Sequence, residues 1–254
     1  TVDSAGNWSV SIPSADLQLL QDGNYTISAR VSLGTLSAQA TQNLDVMTHD
    51  LPKPALNTPF GDGYVNSAEH AAAQTLAGTT GVKGSWQTVT VTIGNKTWET
   101  TADANGKWTL NLSAADMAAM AAGTLPITVV AKDAAGNTGQ VQGNVTVDLT
   151  PPSLAVLSLT SDNILNLQEA KAGQTLSGIA SIEDQGRTVS VTLNGKNYTA
   201  LVGVDGKWSI SLSPADLTAL PQGTNNIVAT LTDAAGNTTT INGSFNVKTL
   251  LPTI

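Results

Sequence analysis

Apolar and polar residues alternate along most of the chain, and the alternation comes in matched sets. Val89, Val91 and Ile93 stand out of phase with Thr90 and Thr92, and Trp108, Leu110 and Leu112 with Thr109 and Asn111. Ile127, Val129 and Ala131 follow, then Val141, Val145 and Val147. A second series answers the first: Val189, Val191 and Leu193; Ile210 and Leu212; Ile227, Ala229 and Leu231; Ile241, Phe245 and Val247. A period of two residues, bounded by Gly, Asn and Asp, predicts half-buried antiparallel strands. Turn chemistry at Gly94-Asn95-Lys96 and Ala104-Asn105-Gly106 separates them. One segment breaks the pattern in each series. Ser113 to Met120 and Ser213 to Leu220 read as a helical turn or two, with Ser as the cap, Asp116 or Asp216 answering it, and Pro214 at the first helical position.

The spacing of the series is fixed by three tryptophans, Trp8, Trp108 and Trp208, so the period is 108 − 8 = 100 residues. Asp16, Asp116 and Asp216 recur in step, as do Gly23, Gly123 and Gly223. A unit of that size is a whole small domain. With about seven strands per unit, the expected fold class is all-β: tandem immunoglobulin-like β-sandwich domains in a linear, rod-like array. The expected boundaries are 1–52 for the C-terminal half of a truncated domain, 53–150 for a second and 151–254 for a third. The missing half would leave an apolar face and a bare sheet edge, so the chain is expected to be an excerpt of a longer one. Short proline-bearing linkers, Val46 to Pro54 and Val147 to Pro152, should be extended and stiff. The three recurring tryptophans lie in phase with buried leucines and are expected in the core. Trp86 does not recur, and it is the one aromatic expected to be exposed for ligand contact.

Composition narrows the function. The formal net charge is −8, with 15 Asp to 4 Glu, so nucleic acid and anionic membrane surfaces are excluded as partners for want of a basic face. There is no Cys, which removes thiol catalysis, disulfides and zinc–thiolate sites. No apolar run reaches the roughly 18 residues of a membrane span, so membrane insertion of this segment is not expected. The two histidines, His49 and His70, do not recur, and no nucleophile elbow, phosphate loop or zinc-protease motif is present. An enzyme is not expected.

The acidic loops carry more. Asp133-Ala-Ala-Gly-Asn137 recurs identically as Asp233-Ala-Ala-Gly-Asn237 in the hairpin before the last strand. That hairpin should sit at the pole where a linker arrives, bringing Asp148 near Asp233, with Glu183 and Asp184 on a neighbouring loop and Asp205 as a further candidate. Carboxylates gathered in this way repel unless a cation lies among them, and Ca2+ accepts 6–8 oxygens in loose geometry. The first junction offers Asp50 and Asp133, but its loop Gly81 to Ser85 carries no acid; after the third repeat Lys248 stands where Asp148 would. A strong site is expected near Asp148, a weaker one near Asp50 and none at Lys248. A second cluster recurs as Asp62, Asn66 and Glu69 and as Asp162, Asn166 and Glu169. It is open between a further metal site and a turn closed by Asp and Asn side chains.

The Asp-Gly-Lys-Trp turn, the Ser-x-Ala-Asp-Leu segment, the Asp-Ala-Ala-Gly-Asn hairpin and the Val-Asp-x-Thr-Pro-Pro linker together resemble the bacterial immunoglobulin-like repeats of giant surface adhesins exported by type I secretion, with those of Salmonella the nearest likeness. The resemblance implies a stalk of many domains on the bacterial surface, outside the cell, with calcium near the junctions stiffening it; on the matched motifs this falls on Asp148, Asp233 and Asp133. The expected partners are neighbouring Ig-like domains of the same chain and, through the parent adhesin, a host-cell glycan or protein. Two alternatives stand beside it: Ig-like domains that themselves bind a glycan or host protein, and accessory modules of a secreted glycan hydrolase.

Overall fold

The computed structural model describes residues 2–84 and 87–250, so Trp86 and the expectation attached to it lie outside the described residues. Eighteen strands and five short helices follow one another among them. The first repeat contributes α1 (Ser14–Leu17), β1 (Gly23–Leu33) and β2 (Leu36–Val46). The second contributes β3 (Ala55–Leu56), β4 (Tyr64–Val65), α2 (Ser67–His70), β5 (Gln74–Thr79), β6 (Thr88–Ile93), β7 (Lys96–Thr101), β8 (Lys107–Leu112), α3 (Ala114–Ala118), β9 (Gly123–Lys132) and β10 (Thr138–Val147). The third repeats that order as β11 (Leu154–Val156), β12 (Ile164–Asn166), α4 (Leu167–Ala172), β13 (Gln174–Ala180), β14 (Thr188–Leu193), β15 (Lys196–Leu201), β16 (Lys207–Leu212), α5 (Pro214–Thr218), β17 (Gly223–Thr232) and β18 (Thr238–Lys248).

The sheets repeat as the strands do. One pair is ordered β3-β5-β8 and β4-β10-β9-β6-β7, the other β11-β13-β16 and β12-β18-β17-β14-β15. Ladders are antiparallel except where β4 runs parallel to β10 and β12 to β18. This is the two-sheet sandwich that the alternation predicts, built twice. Cα packing divides the chain into two compact units that cut across the repeats: Thr1–Pro59, Thr75–Asn111 and Pro126–Asn144 form one, and Phe60–Gln74, Leu112–Leu125 and Val145–Ile254 the other. The core of the first holds Leu76, Val89, Val91, Ile93, Trp108, Ile127 and Val129, all buried. That of the second is built on Leu165, Leu176, Trp208, Leu217, Leu231 and Phe245.

Trp108 and Trp208 are each 2 % exposed, and a glycine makes room for each ring. Gly178 pairs with Trp208 across β13 and β16. A Cβ there would stand 2.0 Å from the carbonyl oxygen of Ala155 and 2.3 Å from the indole, and at Gly78 the matching distances are 2.0 Å to Ala55 and 2.7 Å to Trp108. Neither indole N–H finds a hydrogen-bond partner. Burying about 150–250 Å² at about 25 cal/mol/Å² is worth roughly 4–6 kcal/mol, against about 1–3 kcal/mol for the unpaired donor. Burial wins, and shape alone holds the ring.

Trp8 departs from the expectation that it is buried. It is 56 % exposed and lines an open groove with Val10, Ile12, Ile27 and Val31. The cause is local: β1 and β2 form a two-stranded sheet, and among the described residues no second sheet faces it, so the ring has no glycine-bearing strand to lie on.

The predicted caps form. Ser113 accepts from the amide of Asp116, whose carboxylate accepts from that of Ser113. Ser213 caps α5, which begins at Pro214. In α1 Pro13 occupies the cap position and no side chain closes it. Two further helices were not anticipated. α2 and α4 are each opened by a full capping box, Asn66 with Glu69 and Asn166 with Glu169.

Gly178→Ala is expected to destabilise its sandwich by about 1–3 kcal/mol through overpacking. Gly243→Ala, whose Cβ would meet nothing closer than 3.9 Å, should be close to neutral. Thermal unfolding of the two variants compares them, and equal shifts would contradict the account of the tryptophan seat.

Candidate functional site

The acidic poles are built from hairpins that close on themselves. Asp233 directly follows β17, and one of its carboxylate oxygens accepts from the Asn237 amide at 2.9 Å while the other accepts from the Asn237 side-chain amide at 3.0 Å. Gly236 takes φ +93°, a left-handed conformation that costs glycine nothing. The copy at Asp133 closes in the same way, with both contacts to Asn137 at 2.8 Å and Gly136 at φ +97°. Both aspartates are buried, at 7 % and 8 % exposure for Asp133 and Asp233.

At the second junction this hairpin is met from two sides. The Asn237 side-chain amide also donates to the Asp148 carbonyl at 2.8 Å, and its oxygen accepts from the Ser67 amide at 2.9 Å. Asn66 in turn donates to the carbonyl of Ala235 at 3.1 Å. The two acidic clusters treated separately in the sequence therefore belong in part to one place. Asn66 and Glu69 lie on one side of the junction, and Asp148 and Asp233 are carried on the other elements that meet there. All of these residues fall within the same compact unit. Contact buries Ala235 and Asn237 completely or nearly so. In the first hairpin Ala135 is exposed and Asn137 only half-buried; Asn137 still donates to a linker carbonyl, that of Met47, at 2.8 Å.

The remaining candidates divide by what already holds them. Asn66 and Asn166 each accept two helix amides, and Glu69 and Glu169 return the bond to the cap amide at 3.0 Å. Asp62 accepts from Tyr64 at 2.8 Å. Asp162 accepts from the Ile164 amide, which holds its carboxyl below the ordinary value. Asp205 is half exposed and bound to Lys207 through both amide and ammonium, which also lowers its carboxyl. Asp148 uses one oxygen on the Thr150 amide at 3.0 Å.

Asp184 differs from all of these. It is 3 % exposed, and its Oδ2 has no hydrogen-bond partner. Burial raises its carboxyl first, then the negative charges of Asp233 and Glu183, with Arg187 offsetting part of the rise. An unpaired, buried carboxylate oxygen in a field of two other carboxylates is the feature a hard cation would satisfy. Among the described residues, however, no three His, Asp or Glu side chains stand close enough to hold an ion as they are. At the first junction the corresponding loop brings Lys83 and Gly84 where Glu183 and Asp184 stand. Lys83 lines a cleft there with Asp22, Asp45, Asp50 and Asp133.

Three features escaped the sequence reading. The Asn-x-x-Glu signature at Asn66 and Asn166 announces a capping box and could have been read. Lys83 could have been set against Glu183 by the period of the repeat. Asp22, which holds the first linker, gives no local signal beyond preceding Gly23. Both histidines are engaged structurally: His70 meets the Met120 carbonyl at 3.1 Å, and His49 meets Asp22 at 3.2 Å. No helix among the described residues is long and apolar enough to cross a membrane.

Comparison with known proteins places this geometry in a family. A comparison with curated proteins gives no match. Among solved structures, a calcium-stabilised adhesin with which an Antarctic bacterium binds ice is 30% identical, covering 98% of this chain and 62% of that one, with a TM-score of 0.48. The present chain thus spans less than two thirds of that structure. A second, from a 1.5-MDa bacterial ice-binding adhesin, is 29% identical over 98% of this chain and 82% of that one, at a TM-score of 0.47. An immunoglobulin-like domain of the M. primoryensis ice-binding adhesin is 36% identical over 39% of this chain and 99% of that one, at a TM-score of 0.31. The profile of the bacterial Ig-like domain matches residues 65–149 and again 159–249, which is more than half of the sequence. The chain therefore belongs to the bacterial immunoglobulin-like domain family.

Proposed function

We propose that this chain is a spacer segment of a bacterial surface adhesin, in which immunoglobulin-like repeats hold a distal binding end away from the cell and calcium taken up at the second junction fixes one repeat to the next. The observation that carries the calcium part is Asp184, buried with an unpaired carboxylate oxygen beside the charges of Asp233 and Glu183. Without a cation this arrangement opposes folding, because the charged carboxylate is the form that burial disfavours. With one, the same oxygens become ligands. Asp184, Glu183 and Asp233 would hold the ion, and the oxygen that Asp148 does not spend on Thr150 is available to it. Calcium suits the place better than magnesium, since loose coordination by loops does not meet octahedral demands.

The reading assigns the first junction a lesser role for calcium, because Lys83 stands in the loop position of Glu183 and supplies a tethered positive charge. The pole at Lys248 takes no ion in this proposal. Asp62, Asp162, Asn166, Glu169, Asn66 and Glu69 act in it as turn and helix caps. Export by type I secretion would keep the junction empty in the producing cell, where calcium is scarce, and fill it outside. The proposed partners are further Ig-like repeats of the same parent protein, and the parent's distal end, in turn, would meet a glycan or protein on the host surface. No catalytic role forms part of this reading.

Calcium is expected to raise the thermal stability of the unsubstituted chain by mass action, about 2.7 kcal/mol at a hundredfold excess over Kd. Asp184→Asn should be more stable than the parent in chelator and nearly indifferent to calcium. Differential scanning calorimetry of both, with calcium and with chelator, decides it; an undiminished calcium response in Asp184→Asn would remove this residue from the site. Asn237→Ala, which orphans the Ser67 amide and two acceptors, should cost about 2 kcal/mol or more. Asn137→Ala should cost less, and denaturant titration of the pair gives the order.

A further inference from the structure

The three repeats differ at one position that their shared motifs conceal, the residue immediately before Gly23, Gly123 and Gly223. It is Asp22 in the first, Ala122 in the second and Gln222 in the third. Asp22 reaches 26 to 28 residues along the chain to the linker that leaves its repeat. Its Oδ1 accepts from the Thr48 amide at 2.6 Å and the His49 amide at 3.0 Å, and its Oδ2 from the Asp50 amide at 2.7 Å. The Thr48 hydroxyl adds a contact at 3.2 Å, and the His49 ring another at 3.2 Å. Three consecutive linker amides thus converge on one carboxylate, and these bonds hold its pKa well below the usual carboxylate range. Gln222 grips less. Its side-chain oxygen accepts from the Thr249 amide at 3.1 Å, and its side-chain amide donates to the Thr249 hydroxyl. Ala122 can grip nothing, and there the amide of Thr150 is satisfied from within the linker by Asp148.

We propose that the residue before the recurring glycine is a clasp that sets how firmly each linker is held to the repeat it leaves, with Asp22 locking Thr48–Asp50, Gln222 holding Thr249 alone, and Ala122 leaving its linker to the following repeat. The second linker is then secured from the other side, through Asn237 on the Asp148 carbonyl. The clasp needs no ion, so it stands or falls separately from calcium binding. It makes the linkers unequal by sequence: one is fixed by an internal anion, the next depends on its neighbour. A single side chain, substituted without touching the core, therefore changes the freedom of one linker only.

Amide hydrogen exchange of the full chain in chelator tests this. Thr48, His49 and Asp50 should exchange about ten-fold faster or more in Asp22→Ala than in the parent, while amides in the middle of β1 and β2 keep their rates. Asp22→Asn, which retains one acceptor oxygen, should fall between. Ala122→Asp should slow exchange at Leu149. Unchanged rates at Thr48–Asp50 in Asp22→Ala would overturn the proposal. So would a loss of protection spread equally over the whole repeat, since that is the mark of general destabilisation and not of a clasp.

Discussion

Both N–H groups and the oxygen of one buried side-chain amide at the second junction, that of Asn237, have partners, and the junction depends on that. Asn237 closes its own hairpin against Asp233, holds the linker through Asp148 and receives the Ser67 amide at the start of α2. A buried polar group left partly satisfied is costly, so these contacts stand together. Loss of any one leaves a desolvated group on the others. The same constraint explains why glycine and alanine fill the rest of the hairpin: Gly236 lets the chain turn under Asn66, and a Cβ there would come within 3.2 Å of the Asn66 side chain. The hairpin is thus a socket shaped by one side chain, and the acids around it are placed by the same closure.

The sandwich itself was largely legible. Period-two alternation located the strands, and the burial of Val89, Val91, Ile93, Ile227, Ala229 and Leu231 follows it residue for residue. The Trp strand was read correctly where a facing sheet exists. Trp8 shows the limit of such reading: alternation tells which side of a strand is apolar, but not whether anything covers that side. What seats the other two rings, Gly78 and Gly178, is a long-range contact between strands that no local pattern announces.

The poles were legible in composition and less so in connection. The sequence placed Asp148 with Asp233 and gave Asp184 as a neighbour, and the structure sets the Asp148 carbonyl on Asn237 and the Asp233 charge on Asp184. It treated Asn66 and Glu69 as a separate cluster, because nothing in a linear chain says that the far end of one repeat abuts the near end of the next. Most of the remaining carboxylates are spent on backbone amides: Asp62, Asp162, Glu69, Glu169 and Asp22. An acidic residue at a turn is thus weak evidence for a cation. A buried one with an unpaired oxygen is stronger, and burial is a property of the fold.

Calcium-dependent stiffening requires that the second junction take a divalent ion at Asp184. The most direct measurement is a calorimetric titration of calcium into the chelator-treated chain, repeated on Asp184→Asn. A saturable isotherm in the parent, weakened in the variant, is the predicted result. An isotherm without calcium uptake in the parent would contradict the account.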